Sequence, residues 1–338
     1  MARDIGIDLG TSYTKIYVKG KGIVLREPSV IAVNKNTGMV LAYGTEAKKM
    51  LGRTPANVVA IKPLREGVVA DYDAAAMMLR YFIKSASKDI GIFGRPNIMV
   101  SVPSSVTEVE QMAVLQATKE AGAKNHPILV EEPIAAAIGA DIPMDESSGF
   151  MIVNIGGGTT EIAVVSVGGI VNNRSLRIGG EEFDKAIMAF VKREYNLLIG
   201  ERTAENVKIK IGAAFPKPQE EHMEIRGRDL VSGLPKNVKL SSSEIVEALK
   251  EPIATIVDAV KATLESTPPE LAADIFEQGI VLSGGSAQLD GLDKIIRLET
   301  GMPVECAENP EDIVAVGMGH CIENPKVRVF LERNRLNH

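Results

Sequence analysis

Asp4-Ile-Gly-Ile-Asp-Leu-Gly-Thr-Ser-Tyr-Thr-Lys-Ile-Tyr-Val18 and Phe150-Met-Ile-Val-Asn-Ile-Gly-Gly-Gly-Thr-Thr-Glu-Ile-Ala-Val164 align without a gap. Asp8 falls on Asn154, Gly10 on Gly156, Thr14 on Thr160, Lys15 on Glu161 and Ile16 on Ile162. Each copy is an alternating apolar strand, a glycine turn and a second alternating strand. Two unrelated hairpins would be the plainer account. A duplication giving two related halves is the more informative one. Glycine lets backbone approach a ligand closely, and Thr and Ser hydroxyls add donors. Successive backbone N–H groups in such turns form nests that bind anions. Two nests facing each other would grip a polyphosphate from both sides. Asp8 cannot hold phosphate, because like charges repel. It makes sense beside a divalent cation, which for Mg²⁺ is met largely through water. Lys15, just past the first turn, can supply positive charge to phosphate oxygens.

Outward from these turns, strands alternate with helices, which implies an α/β architecture. A hairpin is predicted from 30–33 and 39–42 around the turn at 34–38, and a helix over 73–87. A strand follows at 97–102. Thr107 and Glu110 form a capping box that opens a helix. A strand at 128–130 leads to Pro133, which starts an alanine-rich helix over 134–140. Helices are predicted at 183–195 and 203–211, and short strands at 223–228 and 237–240. Ser241 and Glu244 cap a long amphipathic helix, in which Pro252 predicts a kink or a break. A strand at 280–282 ends in Ser283-Gly-Gly-Ser286. The chain has no G-x-x-x-x-G-K-[ST] and no G-x-G-x-x-G, so P-loop and simple dinucleotide-binding enzymes lose support.

The 338 residues carry 38 Lys and Arg against 44 Asp and Glu, a net charge of −6, which disfavours nucleic acid as a partner. Trp is absent and aromatics are 4%, too few for a base-stacking platform. Cys306 and Cys321 exclude a disulfide framework and read as two buried, reduced thiols. The start lacks the layout of a signal peptide, and no apolar run approaches the ~18 residues of a span. The expected location is therefore inside the cell, with attachment to a membrane surface left open.

The block Asp8-Leu-Gly-Thr-Ser12 resembles the first phosphate motif of the actin, hexokinase and DnaK superfamily. Ile155-Gly-Gly-Gly-Thr-Thr-Glu161 is similar to its second phosphate motif, and Leu282-Ser-Gly-Gly-Ser286 to its adenosine motif. Glu131-Glu-Pro-Ile-Ala-Ala-Ala-Ile-Gly139 resembles its connecting helix. More narrowly, Lys19-Gly-Lys-Gly-Ile-Val24, Gly52-Arg-Thr-Pro55, Gly200-Glu-Arg-Thr-Ala-Glu205, Arg226-Gly-Arg-Asp229 and Thr267-Pro-Pro-Glu-Leu271 resemble the MreB family of bacterial actins, Mbl included. The likeness spans roughly residues 4–320. It implies an actin-like, ribonuclease H-like duplicated ATPase fold: two domains, each of two subdomains, around a nucleotide cleft. The implied divisions are 1–31 with 70–143 (IA), 32–69 (IB), 144–182 with 243–323 (IIA), 183–242 (IIB) and a basic tail, 324–338. It implies ATP or ADP with Mg²⁺, and polymerisation into double filaments on the inner face of the cytoplasmic membrane. There such filaments direct cell-wall synthesis and rod shape, with MreC, MreD, RodZ and elongation synthases as partners. A small-molecule kinase of the same superfold is the alternative, since fold alone does not decide function. A chaperone would need a substrate-binding domain after the ATPase.

Carried over residue by residue, Gly10, Thr11, Ser12 and Tyr13 match the first phosphate loop, and Gly156, Gly157, Gly158 and Thr159 the second. Glu205, Asn206, Val207 and Lys208 match the helix that touches adenine and ribose. Gly284, Gly285, Ser286 and Ala287 match the adenosine loop. Glu132 matches the residue that orients the attacking water, with Thr159 assisting. Asp8 and Asn154 match the positions that meet the metal through water. Most of the family has Asp where this chain has Asn154, and Lys15 is unusual for it, though like conventional actin. The implied outcome is retained nucleotide binding with slow hydrolysis. Ile92 and Phe93, at an apolar tip between Lys88 and Arg95, match a loop that dips into the bilayer.

Overall fold

The computed structural model describes residues 4–88, 95–144 and 146–324. Ile92, Phe93 and residues 325–338 of the basic tail lie outside the described residues. The chain opens with β1 (Ile5–Leu9), β2 (Tyr13–Val18) and β3 (Gly22–Pro28). An excursion follows: β4 (Ile31–Asn34), β5 (Val40–Tyr43), α1 (Gly44–Met50) and β6 (Val58–Ile61). The ribbon β7 (Leu64–Arg65) and β8 (Val68–Val69) returns to α2 (Tyr72–Lys88) and β9 (Ile98–Val102). Then come α3 (Glu108–Glu120), β10 (Ile128–Glu131) and α4 (Glu132–Gly139). The second half begins with β11 (Phe150–Ile155), β12 (Thr160–Ser166) and β13 (Gly169–Leu176). Next are α5 (Gly180–Tyr195), β14 (Leu197–Leu198), α6 (Glu201–Ile211), β15 (His222–Asp229) and β16 (Pro235–Ser241). The chain continues as α7 (Ser242–Glu265), α8 (Pro269–Gln278), β17 (Ile280–Ser283), α9 (Leu292–Thr300), β18 (Val304–Cys306) and α10 (Ile313–Glu323).

The duplication extends far beyond the fifteen-residue match. One sheet runs β3-β2-β1-β9-β10 and the other β13-β12-β11-β17-β18. In each, the first three strands pair antiparallel and the last three parallel. Every residue of β1 is buried, as expected of a strand covered on both faces. Each half also carries a smaller three-stranded sheet, β5-β4-β6 in the first and β14-β15-β16 in the second.

The two halves exchange helices. The helix after β10, α4, packs on β11 and β12, and the helix after β18, α10, packs on β1, β2, β3 and β9. The pair also packs against each other, and with Met99, Val130, Ile152, Ala163 and Val165 builds a core shared by both halves. The approach is backbone to backbone. A Cβ on Gly139 would lie 2.0 Å from the Ile313 carbonyl oxygen, and one on Gly317 would lie 1.8 Å from that of Ala135. Ala135, Ala136 and Ala137 are fully buried, so short side chains on α4 permit the contact.

Two expectations change. Helix α7 runs unbroken through Pro252. Its buried stripe of Ile245, Leu249, Ile253, Ile256, Val257 and Val260 outweighs the single hydrogen bond that proline forfeits. Cys321 is buried in α10, but Cys306 is exposed on the edge strand β18. No described helix is long and apolar enough to cross a membrane.

Gly317→Ala is expected to cost about 1–3 kcal/mol, the usual range for overpacking a closed contact. The midpoint of urea unfolding should fall accordingly. Gly169→Ala, where an added Cβ meets nothing within 4 Å, should leave it unchanged.

Candidate functional site

The turns β1–β2 and β11–β12 face each other. A Cβ on Gly157 would lie 2.0 Å from Ser12 Oγ, and one on Gly158 would lie 2.5 Å from Thr11 Oγ1, so only glycine fits opposite the first turn. Their carbonyls are tied back into the protein. Ser29 Oγ donates to the Gly10 carbonyl at 2.7 Å, and Ser29 N–H to that of Ser12 at 3.0 Å. Ser286 Oγ donates to the Gly156 carbonyl at 2.8 Å, where Gly180 N–H also donates at 3.0 Å. Glu181 N–H donates to the Gly157 carbonyl at 2.8 Å, which docks the start of α5 on the second turn. Among the described residues no acceptor meets the N–H groups of Ser12, Gly157 or Gly158. Two sets of donors therefore converge on one space, the arrangement that favours an anion.

That space is a cleft of about 650 Å³ between the halves. Asp8, Gly10, Thr11, Ser12, Tyr13, Lys15, Glu132, Asn154, Gly156, Gly157, Gly158 and Thr159 line it, with Glu205, Lys208, Gly284, Gly285 and Ser286 farther along. Three expected residues do not. On α6 the residues three and four apart, Glu205, Lys208 and Ile209, face the cleft. Val207 lies on the opposite stripe, fully buried in the second half's core, and Asn206 points to solvent. Ala287 is buried beneath its loop and also packs in that core.

The floor is rich in buried charge. Asp8 is 8% exposed and Glu132 is 7% exposed. Burial raises the Asp8 pKa, the Asp312 carboxylate adds to this, and Lys15 opposes it. Burial also holds the Glu132 carboxyl well above the usual carboxylate range, reinforced by Glu161 and Asp8. Asn154 Nδ2 donates to Glu132 Oε2 at 3.3 Å and pulls the other way. Ser283 Oγ donates to Asn154 Oδ1 at 3.2 Å and so fixes which end of the amide faces Glu132. Glu161 is fully buried and its pKa is raised by burial, opposed by hydroxyl donors from Ser104 and Ser175. A buried carboxyl of raised pKa beside a cleft is a proton acceptor poised nearer neutrality than a surface one.

Several cleft groups belong to no motif of the sequence. Arg26, Asp312, Gly180 and Asp184 all line it. Asp184 is pushed up to about 6 by burial, with Lys208 opposing at 2.8 Å. Asp312 stands just before α10 as Glu132 opens α4. Ion pairs between the halves span the mouth: Lys48 to Glu205 at 2.8 Å, and Lys62 to Glu181 at 3.0 Å and to Glu201 at 2.9 Å.

A family model described as MreB/Mbl protein matches residues 2–329. The chain belongs to the MreB/Mbl family. It is 52% identical over 323 residues to the cell shape-determining protein Mbl of Bacillus subtilis (strain 168), covering 96% of each. Crystal structures of MreB5 of Spiroplasma citri are similar throughout. The ADP-bound form has a TM-score of 0.92 at 38% identity, covering 98% of this chain and 99% of that one. The AMPPNP-bound form has a TM-score of 0.91 at 37% identity, covering 99% of each. The MamK double helical filament shares the fold, with a TM-score of 0.78 at 23% identity over 95% of this chain and 98% of that one. The actin-like architecture that the family resemblance implied is therefore the architecture found.

A carboxyl whose pKa is higher folded than unfolded holds more protons in the folded state, so it weakens the fold as pH rises from the unfolded value through the folded one. Glu132→Gln removes that effect and keeps the shape. The variant should unfold at a higher urea midpoint than the parent at pH ~8, and the gap should close toward pH ~4, where the carboxyl is protonated in both states.

Proposed function

We propose that this chain is an ATP-binding bacterial actin that polymerises into filaments on the inner face of the cell membrane and directs cell-wall synthesis and rod shape. The observation that carries this is the pair of facing turns with unpaired N–H donors in one cleft. In this reading the first turn and the second hold the phosphate chain from opposite sides. The cleft between α6 and the Gly284–Gly285 turn takes the nucleoside, with Glu205 and Lys208 at its edge. Membership of a family with cell-shape relatives, and similarity to ADP- and AMPPNP-bound MreB5, support the same conclusion. Nothing in the comparisons supports the kinase alternative.

Hydrolysis of this kind is mostly positioning plus electrostatics. Glu132, at the start of α4, would orient and deprotonate a water against the terminal phosphate, with Thr159 from the second turn assisting. Among the described residues no group of three or more His, Cys, Asp or Glu is placed to hold a metal. Asp8 fits a hydrated Mg²⁺ ion carried mainly by the phosphates, the mode in which one carboxylate suffices. Asn154 offers only its remaining amide lone pair. Such an ion would neutralise phosphate charge when bound. The subdomain divisions named above follow from the same reading, with the two small sheets as the outer arms. MreC, MreD, RodZ and elongation synthases are the partners it implies.

Ile92 and Phe93 are proposed to insert in the bilayer. Two such side chains contribute ~1.5–3 kcal/mol each, a weak anchor that a filament multiplies by avidity. Electron microscopy of the purified protein with ATP on a lipid monolayer should show paired filaments lying on the lipid. An Ile92→Ser, Phe93→Ser double variant should still polymerise in solution but leave the monolayer bare. Absence of filaments from the parent under both conditions overturns the proposed function. Undiminished lipid binding by the variant overturns the anchor.

A further inference from the structure

The duplicated frame carries unequal charge. In the first half, Lys15 on β2 lies opposite Asp8 on β1, and Arg26 on β3 lies opposite Lys15. Lys15 Nζ stands 3.8 Å from Asp8 Oδ2 and 3.5 Å from Asp312 Oδ1. Arg26 grips Asp312 with both arms of its fork: Nε donates at 3.1 and 3.2 Å, and Nη2 at 2.6 Å. In the second half the corresponding register positions hold Asn154, Glu161 and Ser175. There the amide, the carboxylate and the hydroxyl form hydrogen bonds and supply no cation.

The charge count follows directly. Asp8 and Asp312 are matched by Lys15 and Arg26, so this four-residue cluster sums to zero before any ligand arrives. Asn154 adds no charge, its nitrogen donates to Glu132, and its oxygen accepts from Ser283. At the paired positions on β1 and β11 a divalent ion would meet one carboxylate, Asp8, where a second copy of the motif could supply two, and an ammonium already stands beside that carboxylate. The Lys15 side chain is 9% exposed and lines the cleft, so its charge faces ligand rather than bulk water.

We propose that Lys15, held over the phosphate cleft by Asp312 and Arg26, is a built-in cation that performs part of the work of the divalent ion, so that nucleotide binds with weak dependence on metal. This rests on the nucleotide-binding function proposed above. A free lysine pays rotamer entropy to sit in one place. Asp312 removes that freedom, and the two-armed Arg26 contact keeps Asp312 itself in place. Asp312 is thus a positioning residue that acts through Lys15.

The test is titration of the full chain with a fluorescent N-methylanthraniloyl ATP, in excess Mg²⁺ and in EDTA. The parent is expected to lose no more than about tenfold in affinity on metal removal, a loss no larger than the worth of one hydrogen bond to a charged group. Lys15→Met should lose about 10- to 100-fold more than the parent in EDTA, and less than that in Mg²⁺. Lys15→Arg should restore most of the metal-free binding. Asp312→Glu, which keeps the charge but moves the carboxylate away from Lys15 and Arg26, should move the metal dependence in the same direction as Lys15→Met, which a merely structural defect would not do. Asn154→Asp should make binding more metal-dependent. Loss of all parent binding in EDTA, or an equal loss for Lys15→Met in both conditions, overturns the proposal. Failure of the parent to bind in Mg²⁺ as well overturns the nucleotide site itself. The two parent measurements need no variant to fold.

Discussion

Everything in the cleft depends on the backbone contact between α4 and α10. Each helix leaves its own sheet and packs on the other, and at the crossing Gly139 and Gly317 leave no room for a Cβ. The contact sets how far apart the two sheets stand. It therefore sets whether the β1–β2 and β11–β12 turns meet. A wider crossing would move both the turns and the residues at the helix starts, because Glu132 opens α4 and Asp312 immediately precedes α10. One steric constraint thus positions two facing turns and two carboxylates together.

On this nearly symmetric frame the chain has placed asymmetric chemistry. Ser283 pairs with Asn154 in the second sheet, and in the first Ser101, next to the partner of Ile7, hydrogen-bonds Asp8. Ser101 supports a carboxylate that faces an ammonium, and Ser283 orients an amide that faces a carboxyl. The first half is suited to balancing phosphate charge. Glu132 closes the first half at the start of α4, and burial together with the nearby Glu161 of the second half keeps its pKa high. Two copies of one hairpin thus present different chemistry to the same cleft, an ion pair in one and a hydrogen-bonded amide and carboxyl in the other.

The central part of this arrangement was legible in fifteen residues. Alternation at period 2 and the placement of Gly10 and Gly156 specify strand, turn and strand, and the gapless match implies the paired sheets. What was not legible depends on contacts distant in sequence. Asp312 lies far from every motif, and only the helix exchange brings it to Lys15. Asn206 and Val207 share a segment with Glu205 and Lys208, but a helix turns adjacent residues to different faces. A motif written as consecutive letters cannot express that. Of the kink or break that Pro252 predicts, the break is absent, because local propensity omits the buried stripe that holds α7 together.

The cleft is closed by two unequal sets of contacts. At its mouth, Lys48 with Glu205, and Lys62 with Glu181 and Glu201, are partly exposed ion pairs, a class worth ~0–1 kcal/mol each. At its base, Ile134, Ile138, Ile313, Val314 and Met318 belong to a core shared by both halves, where each large side chain contributes ~1.5–3 kcal/mol. Separating the halves at the mouth therefore costs far less than separating them at the base. Opening that admits a ligand must pivot about the α4–α10 crossing, which leaves Glu132 and Asp312 near the axis while the arms carrying Lys48 and Glu205 move most. The groups that would do the chemistry sit where displacement is smallest, and the groups that would close over the nucleoside sit where it is largest.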